Sequence, residues 1–386
     1  MFVKFKQKLK SLKKIYIVLG IMFFLLLIIS VVLFLYFNST RNSLQDQLAG
    51  SRWDEDGDGY QFSIFFDTGS EIEAGFLEDF EHKYVQELKS TIGDSDAMAD
   101  NLKEYFASAY MMEGRMSLST ENKSMKDVKT YGVSGDYFVF HPLKLIAGSY
   151  LNGVHEDSVL IDEDTAWTLF GSYDIIGMTI VVNDVPLFVE GIYEESDNSY
   201  EEVAKGYNSF ANVSVEENGS QNEGAIRSLI YVPFNTLAKL GTSNKKIAAY
   251  EFVTTAPSDY YVLKVINDQM KSQLNHMQTI SNTTRFETDN LINVWKERKY
   301  RSMHSDTTYY PYYENVARAY EDILAKVMVV IFVCLVVDSV ILIIFVHYFW
   351  INRKSLRLPV IKDKIERRIE AMRSKGKATK DKWKDF

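Results

Sequence analysis

Cysteine is nearly absent from this chain of 386 residues, in which Cys334 is the single example. A fold held together by disulfide bonds is therefore excluded, and a folded region must be stabilised by its apolar core. Hydrophobic residues make up 46% of the chain and aromatic residues 14%, so the material for a sizeable core is present.

Several motifs that mark enzymes are also missing. No G-x-x-x-x-G-K-[ST] loop occurs, so these residues do not bind ATP through a P-loop. The six histidines are scattered, without an H-E-x-x-H pair, and no G-x-S-x-G nucleophile elbow is found. We expect a protein that is not an enzyme and that needs neither a cofactor nor a metal ion.

One acidic turn resembles part of a calcium loop. Asp54, Asp56 and Asp58, followed by Gly59, match the early positions of an EF-hand, but Phe65 stands where that loop has its bidentate glutamate. The alternative is a surface turn without a metal, which the missing glutamate favours.

Charge is distributed unevenly along the chain. The first 14 residues contain six lysines and no acid, and the last 34 contain thirteen basic against five acidic residues, although the whole chain has a net charge of −9. Each basic end adjoins a long apolar run, Ile15–Phe37 or Val327–Ile351. At about 1.5 Å per residue, either run can cross a hydrocarbon layer of about 30 Å as a helix.

These runs predict two transmembrane helices with both termini in the cytoplasm of a cell membrane protein, because basic flanks stay inside. A cleaved signal peptide is the alternative for the first run, but the run is longer than the apolar part of such a peptide. The predicted organisation is a basic tail (1–14), a first span (15–37), a large extracytoplasmic domain (38–326), a second span (327–351) and a second basic tail (352–386).

The second span contains one acidic residue, Asp338. A carboxyl near the middle of a bilayer costs at least about 2.5 kcal/mol, so it is expected to face protein or water. Asp338 is therefore predicted to make an intramembrane polar contact. It is either protonated and hydrogen-bonded within its own helix or facing the first span, or it contacts a membrane helix of another subunit.

The region between the spans alternates irregularly between strand and helix patterns, which predicts an α+β domain with two subdomains. The predicted strands are Tyr60–Phe66, Tyr137–Leu145, Ser158–Ile161, Met178–Val182, Leu187–Tyr193, Ile230–Val232 and Ala248–Thr255, and the predicted helices are Gly75–Ile92, Thr165–Phe170 and Pro257–Gln273. Residues 194–223 are polar and are predicted to form a surface loop.

Helical patterns also adjoin both spans. Residues 38–53 are expected to continue the first helix, and a helix beginning at Pro311 is expected to run into the second span. The two helices pack either on each other as a stalk or separately on the domain. Behind the second span, Ile361, Ile365 and Ile369 predict either a basic amphipathic helix on membrane lipids or a solvated tail.

A succession of short motifs lies within 132–193. A G-x-D-x-x-F-like stretch leads to an L-x-x-G turn, a V-L-I-D-E-D-T-A-W-T-L-F-G segment, a G-x-x-I strand and a closing F-V-E-G-I strand, and I-Y-V-P follows at 230–233. The motif residues in chain order are Gly135, Asp136, Phe138, Gly148, Ala166, Leu169, Phe170, Gly171, Gly177, Gly191 and Pro233. Their types indicate turns and packing, and hence a fold.

This succession resembles the periplasmic core domain of the MacB-like ABC permeases, which are related to FtsX and the lipoprotein-releasing permeases. Such permeases have four membrane helices and a cytoplasmic loop that engages an ATPase, whereas one apolar run follows the motifs here. The resemblance implies a non-catalytic subunit of a mechanotransmitting transporter that exports or handles a substrate outside the cytoplasm. It implies an ABC ATPase and a permease as partners in a hetero-oligomer, and no nucleic acid. The alternative is a membrane-anchored binding or sensor protein that works without an ATPase.

Overall fold

The computed structural model describes residues 2–53, 59–67, 69–70, 72–92, 105–194, 228–243, 246–298, 308, 310–352 and 370. Two compact units are formed: Phe37–Met328 is one, and the described parts of Met1–Tyr36 and Val329–Phe386 are the other. The acidic turn at 54–58, most of the predicted loop at 194–223 and nearly all of the basic tail after the second span lie outside the described residues.

The described helices are α1 (Phe2–Ser43), α2 (Ala49–Trp53), α3 (Ala74–Ile92), α4 (Tyr137–Phe140), α5 (Glu163–Phe170), α6 (Phe234–Leu240), α7 (Asp259–Gln269), α8 (Thr288–Glu297) and α9 (Tyr312–Asn352). Short 3-10 helices occupy Gln45–Gln47 and Lys271–His276. Two of these helices are long and apolar enough to cross a membrane, over Lys14–Ser43 and Tyr312–Ile351.

The strands are β1 (Tyr60–Phe66), β2 (Phe106–Ser119), β3 (Ser124–Gly135), β4 (Leu145–Gly148), β5 (Ser158–Asp162), β6 (Thr179–Val182), β7 (Val185–Tyr193), β8 (Leu229–Pro233), β9 (Thr242–Ser243), β10 (Ala249–Thr254) and β11 (Met277–Ser281). One sheet connects them in the order β11-β1-β10-β2-β3-β8-β5-β7-β4, while β6 pairs with β2 and β7, and β9 pairs with β2. Within the described residues, β3 with β8 and β5 with β7 are parallel pairs, and the other pairs are antiparallel.

Two helix-covered cores lie along this sheet. On the first, Phe62 and Phe252 pack beneath Tyr84 of α3 and Val265 of α7. The second gathers side chains of β5 and β7 with Leu169 of α5 and neighbours from α6. Because side chains alternate between the faces of a strand, Phe65 of β1 points into a third cluster on the opposite face. The predicted α+β class is confirmed, and its two subdomains correspond to two cores that share one sheet.

The first helix ends earlier than the sequence predicts. α1 stops at Ser43, and residues 45–53 form two separate short helices. Gln61 of β1 holds this break, because its side-chain oxygen accepts hydrogen bonds from the backbone N–H groups of Ala49 and Gly50 at 2.8 and 3.3 Å. Its amide nitrogen donates to the carbonyl of Asp46 at 2.7 Å. A tertiary contact therefore overrides the helical pattern of 38–53.

The other differences concern strands. The strand predicted at Tyr137–Leu145 is wrong, because α4 and then Pro142 occupy most of that range and β4 begins at Leu145. Proline cannot donate to a strand ladder. No strand is predicted over 106–135, where β2 and β3 form the longest pairing of the sheet. Polar residues and Gly114 interrupt the apolar pattern there.

Two motif glycines occupy places that no other residue fits without strain. Gly135 has φ +72° at the end of β3, and a Cβ there would lie 2.3 Å from the carbonyl oxygen of Ser108 in β2. Gly148 has φ +78°, and its Cβ would lie 2.1 Å from the carbonyl oxygen of Glu190 in β7. Because glycine has no Cβ, the motif backbone can pass close to the neighbouring strands at both positions.

Gly135→Ala should destabilise the domain more than Gly153→Ala. Gly153 has a similar φ of +71°, but nothing lies within 4 Å of its Cβ position. Both variants carry the cost of a left-handed alanine, about 1 kcal/mol, and Gly135→Ala adds a steric cost that brings the loss to about 3 kcal/mol. Thermal unfolding of the full chain in detergent measures both, and equal losses would contradict a steric role for Gly135.

Candidate functional site

An almost fully buried arginine lies near the ends of both long helices. The Arg285 guanidinium donates to both carboxylate oxygens of Glu314 at 2.7 Å, and it also donates to Glu321 and, at 2.9 Å, to the side-chain oxygen of Gln47. The Arg285 and Glu314 side chains are each 1% exposed. Arg318 completes the group by donating to Glu314 at 2.7 Å. We call these five residues the Arg285 cluster.

Local structure explains how the cluster assembles. Glu314, Arg318 and Glu321 lie at spacings of four and three on α9, so they share one helix face. Gln47 reaches the cluster because the chain turns after Ser43, and Arg285 follows β11 in a turn before α8. Two arginines balance two glutamates, so the cluster is neutral. This matters because an unpaired charge buried this deeply costs several kcal/mol.

A second network, buried except at Asp46, lies beside the first. His141 is placed between two carboxylates: its Nδ1 is 3.0 Å from Asp46 Oδ1, and its Nε2 contacts Glu251. Ser63 of β1 donates to the other oxygen of Glu251, and the Asn282 side chain donates to Ser63 at 2.6 Å. This set, the His141 network, connects the turn after α1 to the two strands β1 and β10.

The His141 network contains residue types found in hydrolases, but its geometry does not fit a nucleophile and its base. Ser63 donates to Glu251 at 2.5 Å, so its hydroxyl is committed to a carboxylate. Ser63 and Glu251 are 1% and 2% exposed, which leaves no access for a substrate. Within the described residues, no group of three or more His, Cys, Asp or Glu side chains is arranged so that it could hold a metal ion. Both networks therefore connect elements of the fold.

The charge of His141 is stabilised by its neighbours. Burial by itself lowers the pKa of His141, but the negative charge of Glu251 and the hydrogen bonds to Asp46 and Glu251 outweigh burial and raise the pKa to about 9. The Tyr313 ring of α9 lies over the imidazole, with 3.9 Å between ring centroids. A protonated His141 thus binds the turn after α1, strand β10 and α9 together.

The predicted motif residues are dispersed over the domain. Gly135, Phe138 and Pro233 line one small cavity of about 80 Å³, which also touches Tyr110 and Phe234. The remaining motif residues have structural positions. Ala166, Leu169 and Phe170 pack in the second core, and Gly148 pairs with Gly191 between β4 and β7. Asp136 precedes α4, Gly171 follows the last residue of α5, and Gly177 lies in the turn before β6.

Asp338 belongs to the unit of the two span-capable helices. Cys334, Asp338 and Ile341 are the residues of α9 within 327–351 that are buried, and their spacing places them on one face. The same face carries Phe345 and Tyr348, whose ring centroids lie 6.0 and 4.0 Å from that of Tyr16 in α1. Neither Asp338 oxygen accepts a hydrogen bond within the described part of the chain. This placement favours the alternative in which Asp338 faces the first span.

Sequence reasoning did not find the Arg285 cluster or the His141 network. Their members are spread from Asp46 to Glu321, and each looks like an ordinary polar or charged surface residue in its own segment. The one available signal was the charged triplet Glu314, Arg318 and Glu321, because its spacing predicts a charged face on an otherwise apolar helix. That pattern could not identify Arg285 as the partner.

Stability should fall as the pH rises towards 9. His141 has a pKa of about 9 in the folded protein against 6.5 ordinarily. The stability that its charge contributes is therefore complete below about pH 6.5 and is lost as the pH rises through 9. Melting temperatures of the full chain between pH 6 and 10 measure this slope, and in His141→Gln the slope should flatten. An unchanged slope in His141→Gln would contradict the assignment.

Loss of Arg285 should be far more damaging than loss of an exposed arginine. Arg285→Gln leaves two buried glutamates near Gln47 without their main partner, so we expect a loss of about 3–5 kcal/mol. Arg115→Gln is the matched control, because Arg115 pairs with Asp127 and these side chains are 55% and 69% exposed. It should cost less than about 1 kcal/mol. Comparable losses in chemical denaturation would show that the Arg285 cluster does not hold the helices.

The α+β domain is also the part of the chain that is similar to known proteins. The model of the MacB-like periplasmic core domain matches residues 17–261. The macrolide export ATP-binding/permease proteins MacB of Neisseria gonorrhoeae and Neisseria meningitidis are 32% identical over 114 residues, which is 28% of this chain and 17% of the relatives. The match thus spans less than a fifth of their length.

Several solved structures are similar to this chain. One is the periplasmic region of MacB from Actinobacillus actinomycetemcomitans, with 15% sequence identity and a TM-score of 0.36, and the match covers 63% of this chain and 94% of that one. The extracellular domain of the noncanonical ABC-type transporter YknZ from Gram-positive bacteria has 14% identity and a TM-score of 0.32, covering 57% of this chain and 99% of that one.

The family model covers more than half of the chain, and it includes every motif residue identified in the sequence. The described fold has two span-capable helices around an α+β domain, as expected of a membrane protein with an extracytoplasmic domain. The protein therefore belongs to the family with a MacB-like periplasmic core domain, within the ABC-type transporter permeases.

Proposed function

We propose that this protein is a non-catalytic membrane subunit of a MacB-like ABC transporter that works by mechanotransmission. In this proposal, Ile15–Phe37 and Val327–Ile351 span the cell membrane, both termini lie in the cytoplasm, and residues 38–326 lie outside. ATP is hydrolysed by a separate polypeptide, and a partner permease completes the transporter. The role of the chain is to convert movement of membrane helices into movement of the external domain.

The observation that carries this proposal is the Arg285 cluster in a domain of this family. α9 supplies both the second apolar run and three members of the cluster, Glu314, Arg318 and Glu321. Gln47, which lies just beyond the end of α1, belongs to the same cluster. A protein that transmits movement needs rigid connections between its helices and its domain, and a buried ion pair with several hydrogen bonds is costly to break. The cluster suits that requirement.

The spans themselves supply the contact with partners. A carboxyl that cannot remain in lipid is suited to holding helices together, and Asp338 lies on the face of α9 that carries Phe345 and Tyr348. We propose that Asp338 fixes the arrangement of the two spans and thereby the surface that the partner permease recognises. Alternatively, Asp338 contacts a membrane helix of that permease directly and holds the two subunits together.

The full chain, purified from its native membrane in mild detergent after cross-linking, should bring an ABC ATPase and a permease with it. The isolated chain should hydrolyse no ATP. Asp338→Leu should lower recovery of the permease about threefold, because it removes the proposed hydrogen bond to a helix of that permease, and intramembrane hydrogen bonds average about 0.6 kcal/mol. Asp338→Asn should lower recovery less, since the amide still forms hydrogen bonds.

Ser339→Leu is the control, because this neighbouring residue is exposed and its hydroxyl bonds within its own helix to the Leu335 carbonyl at 2.7 Å. It should leave recovery unchanged. A chain that is recovered alone, with no ABC subunit after cross-linking, would contradict the transporter proposal. A membrane-anchored binding or sensor protein would then take its place.

A further inference from the structure

A groove of about 220 Å³ lies between α8 and α9. α8 and the residue after it contribute Val294, Trp295 and Arg298, and α9 contributes Asp322, Ala325 and Lys326. The two helices are held together beneath the groove by an apolar cluster that includes Leu291, Phe286 and Leu324, all buried. The groove is therefore built on a fixed frame, although its rim is open to solvent.

The lining combines two cations with an aromatic ring. The Arg298 guanidinium lies over the Trp295 ring, with 4.0 Å between its central carbon and the ring centroid, and its Nη1 donates to the Trp295 carbonyl at 2.6 Å. Arg298 and Lys326 are exposed, and Ala325 is buried. Among the described residues that line the groove, two basic groups and the carboxylate of Asp322 sum to a charge of +1, which complements a singly charged phosphodiester.

Sequence position places the groove at the membrane surface. Lys326 directly precedes Val327, where the apolar run of 25 residues begins. At about 1.5 Å of rise per residue, Asp322 lies only about 7 Å before the start of that run. The headgroup layers together add about 10–15 Å to the hydrocarbon core, so each is about 5–8 Å deep. Tryptophan, arginine and lysine are the residues that anchor proteins in this layer.

We propose that this groove binds the phosphate of a phospholipid headgroup from the membrane that α9 crosses. Arg298 and Lys326 hold the phosphate, and the Trp295 ring contacts the glycerol and upper acyl region. The inference rests on the proposed span at Val327–Ile351 but not on any ATPase partner. Its consequence is that one lipid is held against α8 and α9, next to the Arg285 cluster.

The test is native mass spectrometry of the full chain in a neutral maltoside detergent, titrated with dioleoylphosphatidylglycerol. We expect one lipid to bind per chain at saturation. The double variant Arg298→Gln, Lys326→Gln should bind about tenfold more weakly, because it loses charge-assisted hydrogen bonds. Lys326→Gln alone should give part of this loss. Unchanged melting temperatures in detergent establish that the variants are folded.

Lys296→Gln is the matched control, since it removes the same charge from an exposed residue of α8 that does not line the groove. Lys296→Gln should bind the lipid as tightly as the unsubstituted chain does. A loss of affinity as large as that of Lys326→Gln would mean that the lipid is attracted by the general positive charge of the chain, and it would overturn the proposal. Equal binding of dioleoylglycerol, which lacks phosphate, would also overturn it. So would displacement of the lipid by millimolar inorganic phosphate, because the groove would then be a site for soluble anions.

Discussion

Burial of Arg285 is the constraint on which the part of the domain around Gln47 and the start of α9 depends. A guanidinium removed from water at 1% exposure must keep its partners, and here they come from elements far apart in the chain. Glu314 and Glu321 are on α9, whereas Gln47 follows α1. If α9 slid along its axis, these contacts would all be lost together. The cluster therefore fixes the register of α9 against the turn after α1.

The His141 network adds a second connection of the same kind. Asp46 and Gln47 are adjacent, yet one contacts His141 and the other Arg285, so a single turn takes part in both networks. The break in the helix after Ser43 is what makes this possible. Around these polar groups lie large aromatic side chains, including Tyr137 and Tyr313 beside His141. Their rings exclude water, which strengthens the electrostatic interactions of the buried charges.

These features are the ones on which the proposed transmission of movement depends. The polar groups of both networks are occupied with one another, and the family motifs serve turns and packing. A domain of the MacB-like periplasmic core type supplies the framework, and its association with span-capable helices connects it to a membrane. The groove beside α8 adds a surface through which lipid could stabilise the same region, because anything that binds the folded form selectively favours it.

The sequence by itself determined the two span-capable runs, the α+β class and the family, because uncharged length, strand patterns and short motifs are local properties. It also located β1, β5, β7 and α3 closely. The tertiary structure decided the rest. β2 and β3 contain too many polar residues to show a strand pattern, and they form through pairing with their neighbours. α1 ends at Ser43 because Gln61, which lies on β1, binds the turn that follows. Arg285 and His141 acquire their roles only when distant segments meet, since burial and partners belong to the folded chain.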